Sequence, residues 1–168
     1  MPIAFGAAPM TYIDKNLLTD ERIIFRTKKH RIIFFLPIVW TIFSLYSSAY
    51  MQANPILIKV QWAPWLLALL FWGYVGLEYL TSEFAVTNKR IMMREGFFYR
   101  HMNETRLTTV SQVNIDQSLL GRVLNYGTVS INAFGAYDSF STVAHPVTFQ
   151  KYVNEQLDKL ISNVATQK

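Results

Sequence analysis

The sequence predicts an α+β protein: an N-terminal helical hairpin able to cross a bilayer twice, then a small antiparallel β barrel or sandwich with a C-terminal capping helix. Three observations predict it. Within residues 31–82, two long apolar runs flank a short polar break. After residue 81 the periodicity changes from helical to strand-like, and from Pro146 onward it returns to three- and four-residue spacing.

The first run, residues 32–51 (IIFFLPIVWTIFSLYSSAYM), carries no Asp, Glu, Lys, Arg or His over twenty residues. An α-helix needs about that length to cross roughly 30 Å of hydrocarbon. The second, residues 62–80 (WAPWLLALLFWGYVGLEYL), has one charge, Glu78, near its far end. Residues 52–61 (QANPILIKVQ) are too few for a domain and enough to turn a hairpin outside the bilayer. A cleaved signal peptide is the competing reading of the first run. It fails because the run is longer than a signal core and has Tyr50, Met51 and Gln52 where cleavage needs small residues.

Basic residues set the orientation. Arg22, Arg26, Lys28, Lys29 and Arg31 precede the first run, and Lys89, Arg90, Arg94, Arg100 and Arg106 follow the second, whereas the connecting loop offers only Lys59. Short flanks rich in Lys and Arg stay in the cytoplasm, so both termini are expected inside. Tyr46, Tyr50, Trp62 and Trp65 then fall near the outer interface, where amphipathic rings prefer to lie. The expected organisation is a cytoplasmic segment 1–31, a transmembrane hairpin 32–81 with spans 32–51 and 62–80, and a cytoplasmic domain 82–168.

The net charge of +5 and pI near 9.5 raise nucleic acid as a partner, but the basic residues crowd the membrane flanks. Membrane lipids are the expected partner and nucleic acid is not. The absence of cysteine excludes disulfides, thiolate catalysis and Cys-ligated metal.

In chain order, residues 1–10 (MPIAFGAAPM) are apolar but too short to span, and their Gly and Pro residues oppose a stable helix. In residues 17–31 (LLTDERIIFRTKKHR), Thr19 or Asp20 can cap a turn ahead of the β-prone Ile23, Ile24 and Phe25. Pro37 is expected inside the first span, where it can kink the helix. Pro64 falls in the first turn of the second span. Gly73 and Gly76 give that helix a small-residue patch, expected to pack the spans together. Glu78 is the only carboxylate in either span, and an intramembrane acid raises a functional hypothesis. No second acid, His or Arg stands in the spans to build a proton relay with it, and it lies near the cytoplasmic end. An interfacial role or a pairing with the basic flank is therefore expected.

Residues 82–87 (SEFAVT), 90–94 (RIMMR) and 97–102 (FFYRHM) read as an antiparallel meander joined by tight turns. Residues 108–116 (TTVSQVNID) read as another strand, 117–125 (QSLLGRVLN) as a Leu-rich turn or short helix, and 126–134 and 139–144 as further strands. Pro146 then begins an amphipathic helix with Phe149, Val153, Leu157, Leu160, Ile161 and Val164 on one face.

This order of parts resembles the membrane-anchored bacterial pleckstrin-homology (PH) family. The match runs over residues 17–30 and 79–153. It is carried by Leu17-x-x-x-Glu21-Arg22 with His30, by Val86-Thr87-Asn88-Lys89-Arg90, by Arg94-Glu95-Gly96, and by residues 119–129 with Tyr126-Gly127-Thr128. The resemblance implies a PH-like barrel or sandwich capped by a C-terminal helix, in the bacterial inner membrane. Counted after residue 81 the strands fall short of seven, so a strand from 18–26 or a neighbouring subunit is needed to complete it. In residues 132–139 (NAFGAYDS) this chain has Phe and Tyr where relatives tend to be smaller and more polar, which leaves ligand preference open there.

No constellation carries chemistry. His30, His101 and His145 lack pairwise metal spacing, and neither a nucleophile elbow nor a glycine-rich phosphate loop occurs. Asn103-Glu104-Thr105 matches a glycosylation acceptor on the side of the membrane where chance accounts for it. The expected function is non-enzymatic and uses no cofactor or metal: a scaffold or interaction module that self-associates or binds a membrane protein, with Phe134 and Tyr137 as a candidate contact surface. The alternative is an anionic-lipid headgroup sensor using Lys28, Lys29, Arg31, Lys89, Arg90 and Arg94. Against it, the Thr-Asn-Lys-Arg turn can simply shape its hairpin while nearby positive charge sets topology.

Overall fold

The computed structural model describes residues 12–97 and 101–166, and the apolar residues 1–10 lie outside this range. A single turn, α1 (Tyr12–Lys15), precedes β1 (Ile23–Thr27). The chain then leaves through a 3-10 turn, Arg31–Phe34, into α2 (Phe35–Gln52) and returns by α3 (Ala63–Thr81). Straight out of α3 it enters β2 (Glu83–Thr87), which pairs antiparallel with β1, Thr27 opposite Phe84. The two helices are thus inserted between neighbouring strands of one sheet. The strand that 18–26 offers appears as β1 and supplies a seventh strand from within the chain.

The first sheet continues with β3 (Arg90–Glu95) and β4 (His101–Arg106), in the order β1-β2-β3-β4. The second consists of β5 (Val110–Asp116), β6 (Tyr126–Ala133) and β7 (Ala136–Ala144), with α4 (Leu119–Leu124) joining β5 to β6. Closing the sandwich is α5 (Pro146–Thr166). Alternation builds the core. Phe84, Val86, Ile91 and Met93 face Val113, Val129, Ile131, Phe140 and Val143 of the other sheet, with Phe149 and Val153 of α5 between them. The Phe84 and Phe140 rings meet edge to face at 5.9 Å. Ala85 and Met92 point the other way, against Ile13 of α1, so β2 is buried on both faces.

Several expectations are corrected. The third meander strand, expected at 97–102, is β4 at His101–Arg106, while residues 98–100 lie outside the described range. Its polar sequence HMNETR pairs residue for residue with RIMMRE of β3, so the partner rather than composition selects the strand. The stretch 132–139 is a tight hairpin whose turn residues Phe134 and Gly135 both have positive φ, 45° and 85°. Ile161 is exposed, turned away from the face that buries Phe149 and Val153.

The segments Arg31–Gln52 and Leu57–Thr81 are long and apolar enough to cross a membrane. Their seam is not the glycine pair, since a side chain at Gly73 or Gly76 would meet nothing within 4 Å. Instead Trp40 Nε1 and the Ser44 hydroxyl donate to the Pro64 carbonyl at 3.2 and 3.0 Å, and Trp72 Nε1 donates to Thr41 Oγ1 at 3.0 Å. Pro37 stands in the first turn of α2, where a missing N–H takes no i→i−4 bond from that helix.

Candidate functional site

The chain reaches the helices across one end of the sandwich. The Thr27 hydroxyl donates to the Ala144 carbonyl (2.7 Å), Ala144 N donates to the Lys28 carbonyl (3.0 Å), and His30 N donates to the Thr142 carbonyl (2.7 Å). Residues 28–30 therefore run beside the end of β7 and tie the two sheets together just before the first helix. The His30 ring stacks on Tyr126 at 5.2 Å and accepts at Nδ1 from Ile32 N (3.1 Å), capping the turn that begins the hairpin.

Lys29 is the pivot of this junction. Its side chain is buried, and its ammonium pairs with both Glu78, in the last turn and a half of α3, and Glu95, at the end of β3. One cation thus fastens the returning helix to the sheet. Burial opposes the charge on Lys29, but hydrogen bonds and proximity to the two carboxylates outweigh it and raise the ammonium above its usual value. Glu78 meets the basic flank here.

A second polar cluster sits at the other end of β2. Buried Glu21 accepts from Arg90 Nε and Nη2 (both 3.0 Å), from the Thr87 hydroxyl (2.7 Å) and from Leu18 N (2.8 Å). Arg90 also donates to Glu104 (2.5 Å) and to the Asn16 carbonyl (2.6 Å). Asn88 accepts from Arg22 N (2.9 Å) and donates to the Asp20 carbonyl (3.0 Å), and Lys89 Nζ donates to the Thr19 carbonyl (2.7 Å). The Leu-x-x-x-Glu-Arg stretch and the Val-Thr-Asn-Lys-Arg turn are two halves of one interlock, which spacing alone did not reveal because 66 residues separate Glu21 from Thr87. Burial would raise the Glu21 carboxyl, yet Arg90 and the other donors hold it below the usual carboxylate range.

The six candidate headgroup cations are accordingly not brought together. Lys28 and Arg31 are exposed beside the start of the hairpin, and Lys29 is buried between its carboxylates. Arg94 is half-buried opposite Glu83 near the end of β3. Lys89 and Arg90 lie a strand length away, about 16 Å along β2, engaged with the segment 16–21. Phe134 and Tyr137 are both exposed, at the β6–β7 tip.

One open cleft of about 470 Å³ lies at the junction end, lined by residues including Asp116, Gln117, Ser118, Tyr126, Thr128 and Ser141, with no Lys or Arg among them. Among the described residues, no group of three or more His, Asp or Glu could hold a metal. Beside the cleft stands α4, whose apolar side chains face outward, an exposure that its Leu-rich composition alone does not specify.

The match that decides the family runs over residues 31–164, against the model of the bacterial PH domain. The chain belongs to the bacterial PH domain family. Among curated proteins none matches the chain. PH-like sandwiches are protein or lipid interaction modules. In this bacterial PH domain Leu17-x-x-x-Glu21-Arg22 and residues 86–90 build the Glu21–Arg90 interlock, while His30, Glu95 and Tyr126 belong to the junction with the helices.

Two predictions follow from these clusters. Lys29→Met leaves two carboxylates facing each other without their cation and is expected to destabilise the detergent-solubilised protein by about 3 kcal/mol. Adding Glu78→Gln and Glu95→Gln should restore most of that in thermal or denaturant unfolding. The second concerns pH. Burial, with help from His145 and Arg31, holds His30 below its ordinary value of 6.5. Its contribution is therefore complete above 6.5 and declines as pH falls, because the unfolded chain takes up the proton first. A melting midpoint should fall below pH 6.5, and the first part of that fall should vanish in His30→Asn, which keeps a capping acceptor.

Proposed function

We propose that this protein is a non-enzymatic interaction module of the bacterial inner membrane, held at the cytoplasmic face by its helical hairpin and binding a membrane protein or a second copy of itself. The observation that carries this reading is the insertion of the hairpin between paired strands β1 and β2. The hairpin starts and finishes at one end of the sandwich, with α2 leaving after β1 and α3 returning into β2, so the β domain is held in a fixed pose and does not trail on a linker. The basic residues Lys28 and Arg31 at that end, against Lys59 at the far loop, support the cytoplasmic orientation.

With the junction end turned to the bilayer, the β6–β7 tip stands about 25 Å away along β6. Its rings, Phe134 at 85% exposure and Tyr137 beside it, form the surface we assign to protein contact. Anionic lipid is the second reading, favoured by the exposure of Lys28 and Arg31 beside the helix start. It is diffuse attraction at the leaflet, since the polar cleft nearby has no cation in its lining to select a headgroup.

Crosslinking the tagged protein in its native membrane, then purifying it in mild detergent and identifying what accompanies it, tests both. A stoichiometric protein or a defined homo-oligomer that is lost in Phe134→Ser/Tyr137→Ser is the expected result. A monodisperse monomer with no crosslinked neighbour would contradict the interaction reading, and anionic lipid retained by that monomer would favour the second.

A further inference from the structure

Helix α4 is built inside out. In the run LLGRVL its buried residue is the glycine, while Leu119, Leu120 and Val123 are 81%, 67% and 81% exposed and Leu124 is also open. This orientation is fixed by several contacts. Ser118 caps the helix by accepting from Gly121 N (3.1 Å), and Asn125 ends it in the left-handed conformation. Gln117 Nε2 donates to the Tyr126 carbonyl (3.0 Å). A side chain at position 121 would come within 2.6 Å of that same carbonyl, so only glycine lets the helix sit this close. The backbone thus presents three or four large apolar side chains to the surroundings from a well-anchored support, where a soluble surface would carry polar ones.

Its position says what covers them. The element joins β5 to β6 at the end of the three-stranded sheet where Tyr126 pairs with Ala144, and Ala144 bonds to Lys28. Tyr126, two residues beyond Leu124, stacks on His30, which caps the turn leading into α2. Six helical residues span only about 9 Å, so all of α4 stays close to the point where the chain enters the hairpin. Arg122 on α4 and Arg31 beside His30 are both exposed, giving the same end the positive charge that suits an anionic leaflet.

We propose that α4 is a membrane-docking element: Leu119, Leu120, Val123 and Leu124 enter the headgroup and acyl boundary of the leaflet from which the hairpin emerges. The domain then rests on the bilayer at a second point beside its anchor, which fixes its tilt. The inference rests on the reading of α2 and α3 as membrane spans.

The absence of native cysteine makes the test direct. In the full chain reconstituted in vesicles of phosphatidylethanolamine and phosphatidylglycerol, a nitroxide is attached singly at Leu120→Cys, Val123→Cys, Val39→Cys in α2, or Thr108→Cys at the opposite end of the sandwich. Collisions with oxygen, which concentrates in lipid, are compared with collisions with a water-soluble nickel chelate. Labels at 120 and 123 are expected to shift toward oxygen and away from nickel, as at 39 and unlike 108. If 39 reads as lipid but 120 and 123 read as water like 108, the docking inference is overturned while the spans stand. If 120 and 123 are shielded from both reagents, α4 is covered by protein and the inference is equally overturned. If 39 itself reads as water, the membrane-span reading fails and takes the inference with it.

Discussion

The antiparallel pairing of β1 with β2 across an inserted pair of helices governs the rest of the molecule. Because Thr27 lies opposite Phe84, the chain must leave and return at one end of one sheet, where α2 begins and α3 finishes. Two apolar helices that stay mostly uncovered by the rest of the chain are joined to a close-packed sandwich with no flexible tether between them. Whatever surrounds the helices therefore also orients the domain.

Two buried ionic clusters stabilise this arrangement at opposite ends of β2. Lys29, held by Glu78 and Glu95, binds the end of α3 to the first sheet, and Glu21, held by Arg90 and Thr87, binds the N-terminal segment to the β2–β3 turn. Buried ion pairs are weak sources of net stability but strongly penalise arrangements that leave one partner alone. Their role here is specificity: a shift of the hairpin against the sheet would pull Glu78 of α3 away from Lys29, leaving a buried charge short of a partner. The cations that a basic cluster offers to lipid on paper are, for Lys29, Lys89 and Arg90, engaged in these internal contacts.

Much of this fold was legible in the sequence because it is written in local periodicity. The apolar runs report the two long helices, and the alternation of Phe84 with Val86 and of Val129 with Ile131 and the spacing of Phe149 and Val153 each report one element and its buried face. What stayed hidden depends on residues distant in sequence. The strand at His101–Arg106 is defined by its partner, the Glu21–Arg90 interlock joins residues 69 positions apart, and the outward pose of α4 follows from the close approach of Gly121 to the Tyr126 carbonyl. The Phe134–Gly135 turn was obscured because a bulky aromatic residue rarely takes positive φ. Of the candidate site, Phe134 and Tyr137 are exposed as a contact surface requires, whereas the six cations are divided by the direction of β2 and β3, which composition does not encode.

The pairing of β1 with β2 across the inserted helices makes hairpin and sandwich one body. This is tested most directly by the distance between spin labels at Lys59→Cys, in the loop joining the helices, and Thr108→Cys, at the far end of the sandwich, measured by pulsed electron resonance in lipid nanodiscs. A single narrow distribution is the result this structure requires. A broad one, with the sandwich sampling many poses against the helices, would contradict it.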